Sequence, residues 1–563
     1  MYVGDPLASI FNWRPLSDDS SSDGCFTIAS KWLKKCLDTH NECPKQLSPL
    51  PTRVVDVGDE SQDPFLHISR GKSGTWLSLS HCWGKEQTFT TTLDTLDQRC
   101  KSLPMNDLPG TYRDAISITR RLGYQYLWID SLCIIQDSKE DWEVEAQKMA
   151  MIYQNALVTI SADASENDHQ GIFRGAKSLR NKSDSFALSC HSSKRGVAGN
   201  IYVDRRNAKP KHYNLEIMPL QTRAWVLQEK ALSIRKLHYN GSGLTWECQM
   251  MTSKEITPWI QQRNLSAKEL HNIPITPIPS CLDFGNPDPR YGDTGSLAWW
   301  YLQVNDYMKR RLTFKKDRFP AISGLAKEFS RRTGYHYSAG IWLEDFQRGL
   351  LWKGAKSIEY LDFSPSWSWA SADFNEWAGR ANATNSFLKH GNSRGVELVK
   401  VSVPATRDEF LAPGMPMVLT LRGWCKDIRD FRTTGQFYPS PSTWAIFNQP
   451  EPPGPRYLQF RASPPSQNPS DEETVIFWPD FAIDAASAQT SLEEKGAIVM
   501  GIADFETWDT GNRHLAISST WALLLEPTGE VDGIYRRIGL VRIPSLNHMA
   551  TIDGFEQRTV SIV

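Results

Sequence analysis

The sequence lacks any apolar run near the roughly 18 residues that a membrane-spanning helix needs. It also lacks an excess of charge of one sign. The 63 lysine and arginine residues stand against 64 acidic ones, which excludes a nucleic-acid binder held by bulk positive charge. Ten cysteines in 563 residues are too few for a disulfide scaffold, and the N-terminus does not resemble a secretion signal. We therefore predict a cytoplasmic protein with reduced thiols, no membrane span and no nucleic-acid partner.

Several signatures of cofactor enzymes are missing as well. The sequence contains no GxxxxGK[ST] phosphate loop, no GxGxxG after a strand and no HExxH zinc motif. Cys36, His40 and Cys43 follow one another at intervals of four and three, which places them on one helical face. A structural zinc site needs four ligands and no fourth stands out in the sequence, so we predict core packing for these residues, no metal and no cofactor.

What is present indicates a globular protein, with 40% hydrophobic and 23% charged residues. From residue 75 the hydrophobic pattern alternates between strands and helices. Strands are predicted at 75–82, 126–135 and 156–162, and helices at 112–122 and from the N-cap Ser138 to about residue 155. Strand–helix–strand units of this length favour an α/β fold with a parallel sheet.

The flanking segments have a different character. Apolar residues at helical spacing predict an N-terminal helix over 25–39, and a short strand is predicted at 52–57. Residues 163–220 have a loop-rich composition that includes the basic run 194–206, and a short helix is predicted over 222–232. Beyond a Pro-rich connection at 251–295, residues 296–352 are predicted to be mainly helical and the last 160 or so mainly strands.

Three separate segments carry a family resemblance: LSLSHCWG at 77–84, the 30 residues from 127 to 156, and RAWVLQEKALS at 223–233. In order and internal spacing they closely resemble the three signature blocks of the fungal heterokaryon-incompatibility (HET) domain family. The segments 310–326, 339–352 and 365–371 look like the extension found in large members. His81 is a departure, because the family more usually has another aromatic residue there, and we interpret it as a tolerated variation.

The resemblance implies a domain organisation and a role. It implies a TIR-like, flavodoxin-like α/β domain at 73–240, after a helical N-terminal extension at 1–72. A Pro-rich connection with a helical extension would fill 241–375, and a β-rich region 376–563. The implied role is non-self recognition and programmed cell death, with self-association through the HET domain and an incompatibility partner protein. Because some TIR domains cleave NAD with one glutamate, the resemblance also implies NAD as a substrate.

Acidic residues at the start of the helix after Ser138 are the candidates for that chemistry. With Trp142 at the centre of the buried face, Glu145 falls at its margin, where partial burial raises a carboxyl pKa and suits acid/base work. Glu145 is our first choice for the catalytic residue and Glu140 the second. Acids in a first helical turn are also favoured by the helix dipole alone, which is the structural alternative.

Other residues of the three blocks are predicted to line the substrate site, since ligands bind outside the carboxyl ends of strands in open α/β sheets. They are Ser80, Cys82, Trp83, Asp130, Cys133, Gln136, Trp142, Arg223, Trp225, Gln228 and Glu229. Each has a structural alternative: loop hydrogen bonding, packing, or burial as a small thiol. A Cys–His hydrolase built on Cys82 or Cys133 has no histidine in motif context.

Two other functions remain open at the sequence level. The same surfaces can serve a non-catalytic protein-interaction module of the family, or a regulator of secondary metabolism or stress.

Overall fold

The structure is a computed structural model, and the statements below concern the residues that it describes. These are 16–44, 47–85, 89–174, 185–193, 196–204, 218–241, 243–257, 295–352, 359–373, 395–402, 410, 417–439, 456–462, 474–479, 492–508, 516–529, 531–544 and 555–563. The chain divides into two compact units. The first comprises Met1–Leu282 with Arg310–Leu312, and the second comprises Asp283–Lys309 with Thr313–Val563.

Six helices of the first unit lie wholly within the described residues. They are α1 (Asp23–Thr39), α2 (Leu96–Arg99), α3 (Gly110–Arg121), α4 (Asp130–Cys133), α5 (Lys139–Asn155) and α6 (Val226–Leu232), with a 3-10 turn at Pro219–Thr222. The predicted helical stripe of α1 is confirmed, because Ile28, Ala29, Trp32, Leu33 and Cys36 are all buried. The predicted N-cap of α5 is also confirmed, since the Ser138 side chain accepts a hydrogen bond from the Asp141 backbone N–H.

Twelve strands of the first unit are described. They are β1 (Ser48–Pro49), β2 (Arg53–Asp56), β3 (Phe65–Ile68), β4 (Ser73–Gly74), β5 (Trp76–Ser80), β6 (Tyr126–Trp128), β7 (Val158–Ser161), β8 (Ser185–Ser192), β9 (Val197–Asp204), β10 (Arg235–Asn240), β11 (Gly243–Cys248) and β12 (Met251–Lys254). Eight of them form one sheet in the order β12-β11-β10-β7-β5-β6-β2-β3. The pairs β10–β7, β7–β5 and β5–β6 are parallel.

The α/β prediction is confirmed, but the sheet is mixed rather than purely parallel. Four parallel strands form its centre, and an antiparallel pair flanks each side. The central strands read as continuous apolar or small residues because helices and loops bury both faces, as the fully buried strands β5 and β7 show. The sheet extends beyond the predicted α/β domain at 73–240, because it includes β2 and β3 before residue 73 and β11 and β12 after residue 240.

Three local predictions were wrong. The apolar run 126–135 is not one strand, because β6 ends at Trp128 and the single turn α4 follows. The loop-rich stretch 163–220 contains the antiparallel hairpin β8–β9, so most of the basic run lies in a strand. The helix at 222–232 is interrupted, since α6 begins only at Val226. Apolar periodicity alone did not locate these breaks, because short apolar runs fit both helix and strand.

The second unit combines helices with a larger sheet. Its helices are α7 (Gly295–Tyr307), α8 (Pro320–Thr333) and α9 (Phe346–Leu350), and 3-10 turns occur at Lys315–Arg318, Leu343–Asp345, Trp369–Ser371 and Ile428–Asp430. Aromatic side chains pack densely in the helical part: the ring centroids of Trp300 and Phe329 lie 5.1 and 4.7 Å from that of Trp342. This explains part of the high tryptophan content.

The predicted β-rich tail is confirmed. The described strands of the second unit are β13 (Tyr337–Ser338), β14 (Ile341–Trp342), β15 (Glu359–Tyr360), β16 (Ala372–Asp373), β17 (Val396–Ser402), β18 (Val418–Asp427), β19 (Phe431–Pro439), β20 (Arg456–Ala462), β21 (Thr474–Pro479), β22 (Ile498–Trp508), β23 (Ala516–Pro527), β24 (Ile534–Pro544) and β25 (Glu556–Ile562), and those from β17 onward lie in the predicted tail. Nine of these, β17 to β25, form one sheet, and β25 pairs with both β18 and β24, which closes a ring of five strands. Within the described ranges, no helix combines the length and apolarity needed to span a membrane.

Candidate functional site

Two carboxylates lie at the carboxyl ends of neighbouring parallel strands in the first unit. Asp130 follows β6 at the start of α4, and Glu229 projects from α6 toward the end of β5. The Oγ of Ser80, the last residue of β5, donates a 2.5 Å hydrogen bond to Glu229 Oε2. Asp130 is 9% exposed and Glu229 only 4%. We call these two residues the acid pair.

The turn after β5 closes over the acid pair. The indole Nε1 of Trp83 donates to Asp130 Oδ2 at 2.9 Å, while the ring remains partly exposed. Gly84 ends the turn with φ +89°, and a Cβ there would lie 2.7 Å from the Cβ of Asn167. A glycine is therefore favoured at this position on both conformational and steric grounds.

Arg223 supplies the positive charge of the site. Its guanidinium donates to the backbone carbonyl of His81 and lies 5.7 Å from the centroid of the Trp83 ring. Its charge lowers the pKa values of both carboxyls, against the larger effect of burial. Arg223 and Trp83 are both partly exposed, whereas the two carboxyls of the acid pair are buried.

Burial changes the acidity of both carboxyls. Desolvation raises the pKa of Asp130 to about 6, with opposition from Arg223. Desolvation and then repulsion from Asp130 raise the pKa of Glu229 to about 7. Near neutral pH Asp130 is therefore mostly ionised, whereas Glu229 exchanges between its protonated and ionised forms. Such a pair can both take up and release protons at physiological pH.

Polar side chains on the central strands hold α6 in place. Ser78 Oγ lies 2.8 Å from Thr159 Oγ1, which lies 2.6 Å from Ser233 Oγ. Ser233 in turn donates to the Glu229 carbonyl at 2.5 Å. This chain of hydroxyls connects β5 and β7 to the last turn of α6 and sets the position of the Glu229 backbone.

His81 is enclosed between the acid pair and α3. Its ring is 2% exposed and lies edge-to-face with Tyr112 at a centroid distance of 5.3 Å. Both ring nitrogens are buried without a hydrogen-bond partner among the described residues, and Nδ1 lies 3.7 Å from Asp130 Oδ1. Desolvation lowers the pKa of His81 to about 3, so the ring is neutral.

The two candidate thiols are buried. Desolvation raises the pKa of Cys82 to about 11 and that of Cys133 to about 12. The thiolate needed for nucleophilic attack is therefore disfavoured at neutral pH, and the geometry gives no support to a Cys–His hydrolase.

The remaining predicted site residues lie around this centre. Gln136 Nε2 donates to the carbonyl oxygens of Asp130 and Ile134, which supports the turn rather than the carboxylates. Trp142 and Trp225 are partly exposed and pack edge-to-face at 6.4 Å, which connects α5 to the residue preceding α6. Gln228 is buried within α6.

The structure does not bring Glu145 or Glu140 into this group. Glu145 is 1% exposed, and its Oε1 accepts hydrogen bonds from Thr52 Oγ1 at 2.7 Å and Lys148 Nζ at 2.9 Å. The buried face of α5 thus includes Glu145, whereas Trp142, which we placed at its centre, is only partly buried. Glu140 is exposed and accepts from Ser138 Oγ at 3.2 Å. No described hydrogen bond or ion pair joins either residue to the acid pair.

Sequence reasoning missed a charged network beside the site. His238 on β10 contacts Asp163 Oδ2 through Nδ1 at 2.8 Å and Glu247 Oε2 through Nε2 at 3.3 Å. Lys236 Nζ lies 3.3 Å from Glu247 Oε1. Burial alone would lower the pKa of His238, but the charge of Asp163 raises it overall, so the imidazole is favoured in its charged form. The pairing of β10 with β7 and β11 brings these residues together. Because they are distant in the chain, no sequence motif indicated them.

A second group missed by sequence reasoning consists of four potential metal ligands. Cys248, the last residue of β11, joins Cys36, His40 and Cys43, and all four are buried. The sequence argued against a metal because it showed no fourth ligand. Cys248 supplies that fourth ligand.

Comparison with known proteins identifies one domain of the chain. The family model described as Heterokaryon incompatibility protein (HET) matches residues 76–229, the segment that contains the acid pair, Trp83 and Arg223. This segment is therefore a HET domain, which supports a role related to heterokaryon incompatibility. No curated protein and no solved structure matches the chain.

Proposed function

We propose that this protein acts in incompatibility-associated cell death by hydrolysing the nicotinamide–ribose bond of NAD at the acid pair. The observation that carries the proposal is the enclosure of Asp130 and Glu229 with Arg223 and Trp83 at the end of β5. Glu229 replaces Glu145 as the proposed catalytic carboxylate, because Glu145 is engaged by Lys148 and Thr52.

The strand order supports a TIR-like site. The parallel strands run β6-β5-β7-β10, which is the second, first, third and fourth in chain order. Flavodoxin-like sheets share this sequence of positions and bind ligands where the order reverses, between the first and third strands. In this chain that position lies between β5 and β7, where Ser80 meets Glu229.

The chemistry assigns a role to each member of the site. The bond between C1′ of the ribose and the pyridinium nitrogen breaks, its electron pair neutralises the pyridinium, and nicotinamide leaves without needing an acid. Ionised Asp130 stabilises the oxocarbenium-like charge, as carboxylates do in glycoside hydrolysis. Glu229 takes a proton from the water that bonds to C1′. Trp83 offers an aromatic face to the base, and Arg223 offers a charged fork to the diphosphate.

The proposed general base sets a pH dependence. Glu229 acts when ionised, and its pKa is raised to about 7. Turnover should therefore increase with pH through about 7 and level off above it, when substrate is saturating and Asp130 is already ionised.

Purified full-length protein incubated with NAD tests the proposal by release of nicotinamide. Self-association through the HET domain belongs to the proposal, so specific activity should rise with protein concentration. Glu229→Gln and Asp130→Asn should each lower turnover by at least about 100-fold, the scale expected for a catalytic proton-transfer or charge-stabilising group. Glu140→Gln is the matched control and should retain the turnover of the parent chain.

A non-catalytic interaction module is the second candidate, and the enclosure of the acid pair favours it, because a carboxylate 4% exposed also suits a structural network. The two candidates differ in one result. If Glu229→Gln and the parent chain cause equal cell death and neither consumes NAD, the module is correct and the hydrolase proposal fails.

A further inference from the structure

A group of three thiols and one imidazole lies between the end of α1 and the end of β11, outside the matched HET segment. Cys36 occupies the last turn of α1, His40 caps that helix and Cys43 follows in the next turn. Cys248 ends β11. We call these four residues the Cys3His cluster.

The ligand atoms of the Cys3His cluster have the spacing of a single tetrahedral ion. All four atoms lie within 4.8 Å of one another, and Cys248 Sγ is 3.3 Å from His40 Nδ1. Around zinc, with Zn–S near 2.3 Å and Zn–N near 2.0 Å, neighbouring ligand atoms are about 3.5–3.8 Å apart. Movement of the ligand atoms by a few tenths of an ångström to about one ångström would give the distances of tetrahedral zinc coordination.

The local backbone already holds the ligands in this arrangement. The His40 backbone N–H bonds to the Cys36 carbonyl at 3.2 Å, which ends α1 and brings the imidazole beside the preceding turn. Three of the four ligands thus come from eight consecutive residues, with the fourth supplied by a distant strand. Zinc sites in small structural modules commonly combine a close ligand set with a remote ligand in this way.

A buried arginine provides an independent observation. Arg235 is 1% exposed, and its Nε donates to Cys36 Sγ at 3.2 Å. Its NH2 group donates to the carbonyls of Cys43 and Pro44 at 2.9 and 2.8 Å. Among the described residues it contacts no carboxylate, although a buried charge requires compensation.

Zinc would balance this charge. A divalent ion bound by three thiolates and a neutral imidazole carries a net charge of −1, which equals and opposes the guanidinium charge. With three neutral thiols, Arg235 would remain an uncompensated cation. An N–H donor directed at Cys36 Sγ is also the type of outer contact that stabilises a metal-bound thiolate.

We propose that Cys36, His40, Cys43 and Cys248 bind a structural zinc ion that fastens helix α1 to strand β11. All four protein ligands are accounted for, so the site has no open position for a substrate and its role is structural.

The test measures metal in the full-length protein purified without chelator. We expect about one zinc per chain by elemental analysis, released by a mercurial that titrates thiols. Exchange with cobalt(II) should produce the visible ligand-field bands of a tetrahedral site and the near-ultraviolet charge-transfer bands of thiolate ligands. A folded, metal-free chain that binds no added zinc would overturn the proposal.

Variants then locate the ion. Cys248→Ser should lower bound zinc to below about a tenth of the parent value, while Cys25→Ser keeps it, because Cys25 is a buried thiol of the same helix outside the cluster. Zinc retained in full by Cys248→Ser would refute the assignment. If that variant does not fold, the cobalt spectrum of the parent chain decides, since octahedral bands without thiolate charge transfer would refute it equally.

Discussion

Replacing Glu229 by Gln should stabilise the first unit at high pH while removing the proposed catalytic base. Burial and Asp130 raise the pKa of Glu229 from 4.5 to about 7 in the folded protein. Since each pH unit corresponds to about 1.4 kcal/mol, the ionised carboxylate costs about 3 kcal/mol of stability. Gln keeps the shape and an oxygen that accepts from Ser80.

The sign of the effect follows from proton linkage. Below pH 4.5 the carboxyl is protonated in both states and imposes no penalty. As pH rises from 4.5 to 7 the unfolded state loses its proton first, so the stability of the parent chain falls relative to the variant, and above pH 7 the difference is constant. The variant should therefore exceed the parent by less than about 1 kcal/mol at pH 5 and by about 3 kcal/mol at pH 8.

Urea unfolding at these two pH values measures the difference. The transition that responds belongs to the first unit, and the transition of the second unit serves as an internal reference. Glu140→Gln removes an exposed carboxylate of the same domain and should show no comparable change. A Glu229→Gln variant that is less stable than the parent at pH 8, or equally stabilised at both pH values, would refute the reasoning.

Three further predictions concern single residues. Gly84→Ala should lower the free energy of unfolding by about 1–3 kcal/mol in urea, because of its positive φ and the approach to Asn167, and equal stability would contradict that. His81→Phe should raise stability by about 1–3 kcal/mol at pH 7 by removing unpaired buried nitrogens. That gain should grow as pH falls from 6.5 toward 3, because the unfolded parent chain binds a proton at His81 in this range and the folded chain does not. A gain that shrinks over the same range in acid denaturation would contradict this prediction. Glu145→Gln should cost about 1–2 kcal/mol through its contact with Lys148 while NAD turnover stays unchanged, and lost turnover would restore Glu145 as the catalytic candidate.

The site shows where sequence patterns succeed and where they stop. Ser80, Trp83, Asp130, Arg223 and Glu229 were predicted to share a site because all lie in the three blocks, and the structure brings them together. Periodicity could not indicate which of their carboxylates is the better candidate for catalysis. It ranks positions on a helix by angle, whereas acidity depends on how many neighbouring elements exclude water from the carboxyl.

Glu145 illustrates that limit. Its helical position correctly suggested burial, but the partners that engage its carboxylate, Thr52 and Lys148, come from another segment and from the next helical turn. Glu229, by contrast, forms no ion pair among the described residues, and Asp130 repels its charge. Only the folded chain distinguishes an acid held in an ion pair from an acid whose charge is opposed by a neighbouring acid.

By itself, the sequence determined the α/β class of the first unit, the N-terminal helix, the N-cap at Ser138, the β-rich second unit and the HET domain, because these depend on local periodicity and contiguous motifs. Tertiary structure decided the mixed sheet, the pairing of Asp130 with Glu229, the network around His238 and the arrival of Cys248 beside Cys36, His40 and Cys43. The physical reason is that charge, desolvation and metal coordination depend on distances between residues far apart in the chain, and those distances exist only once the strands have paired.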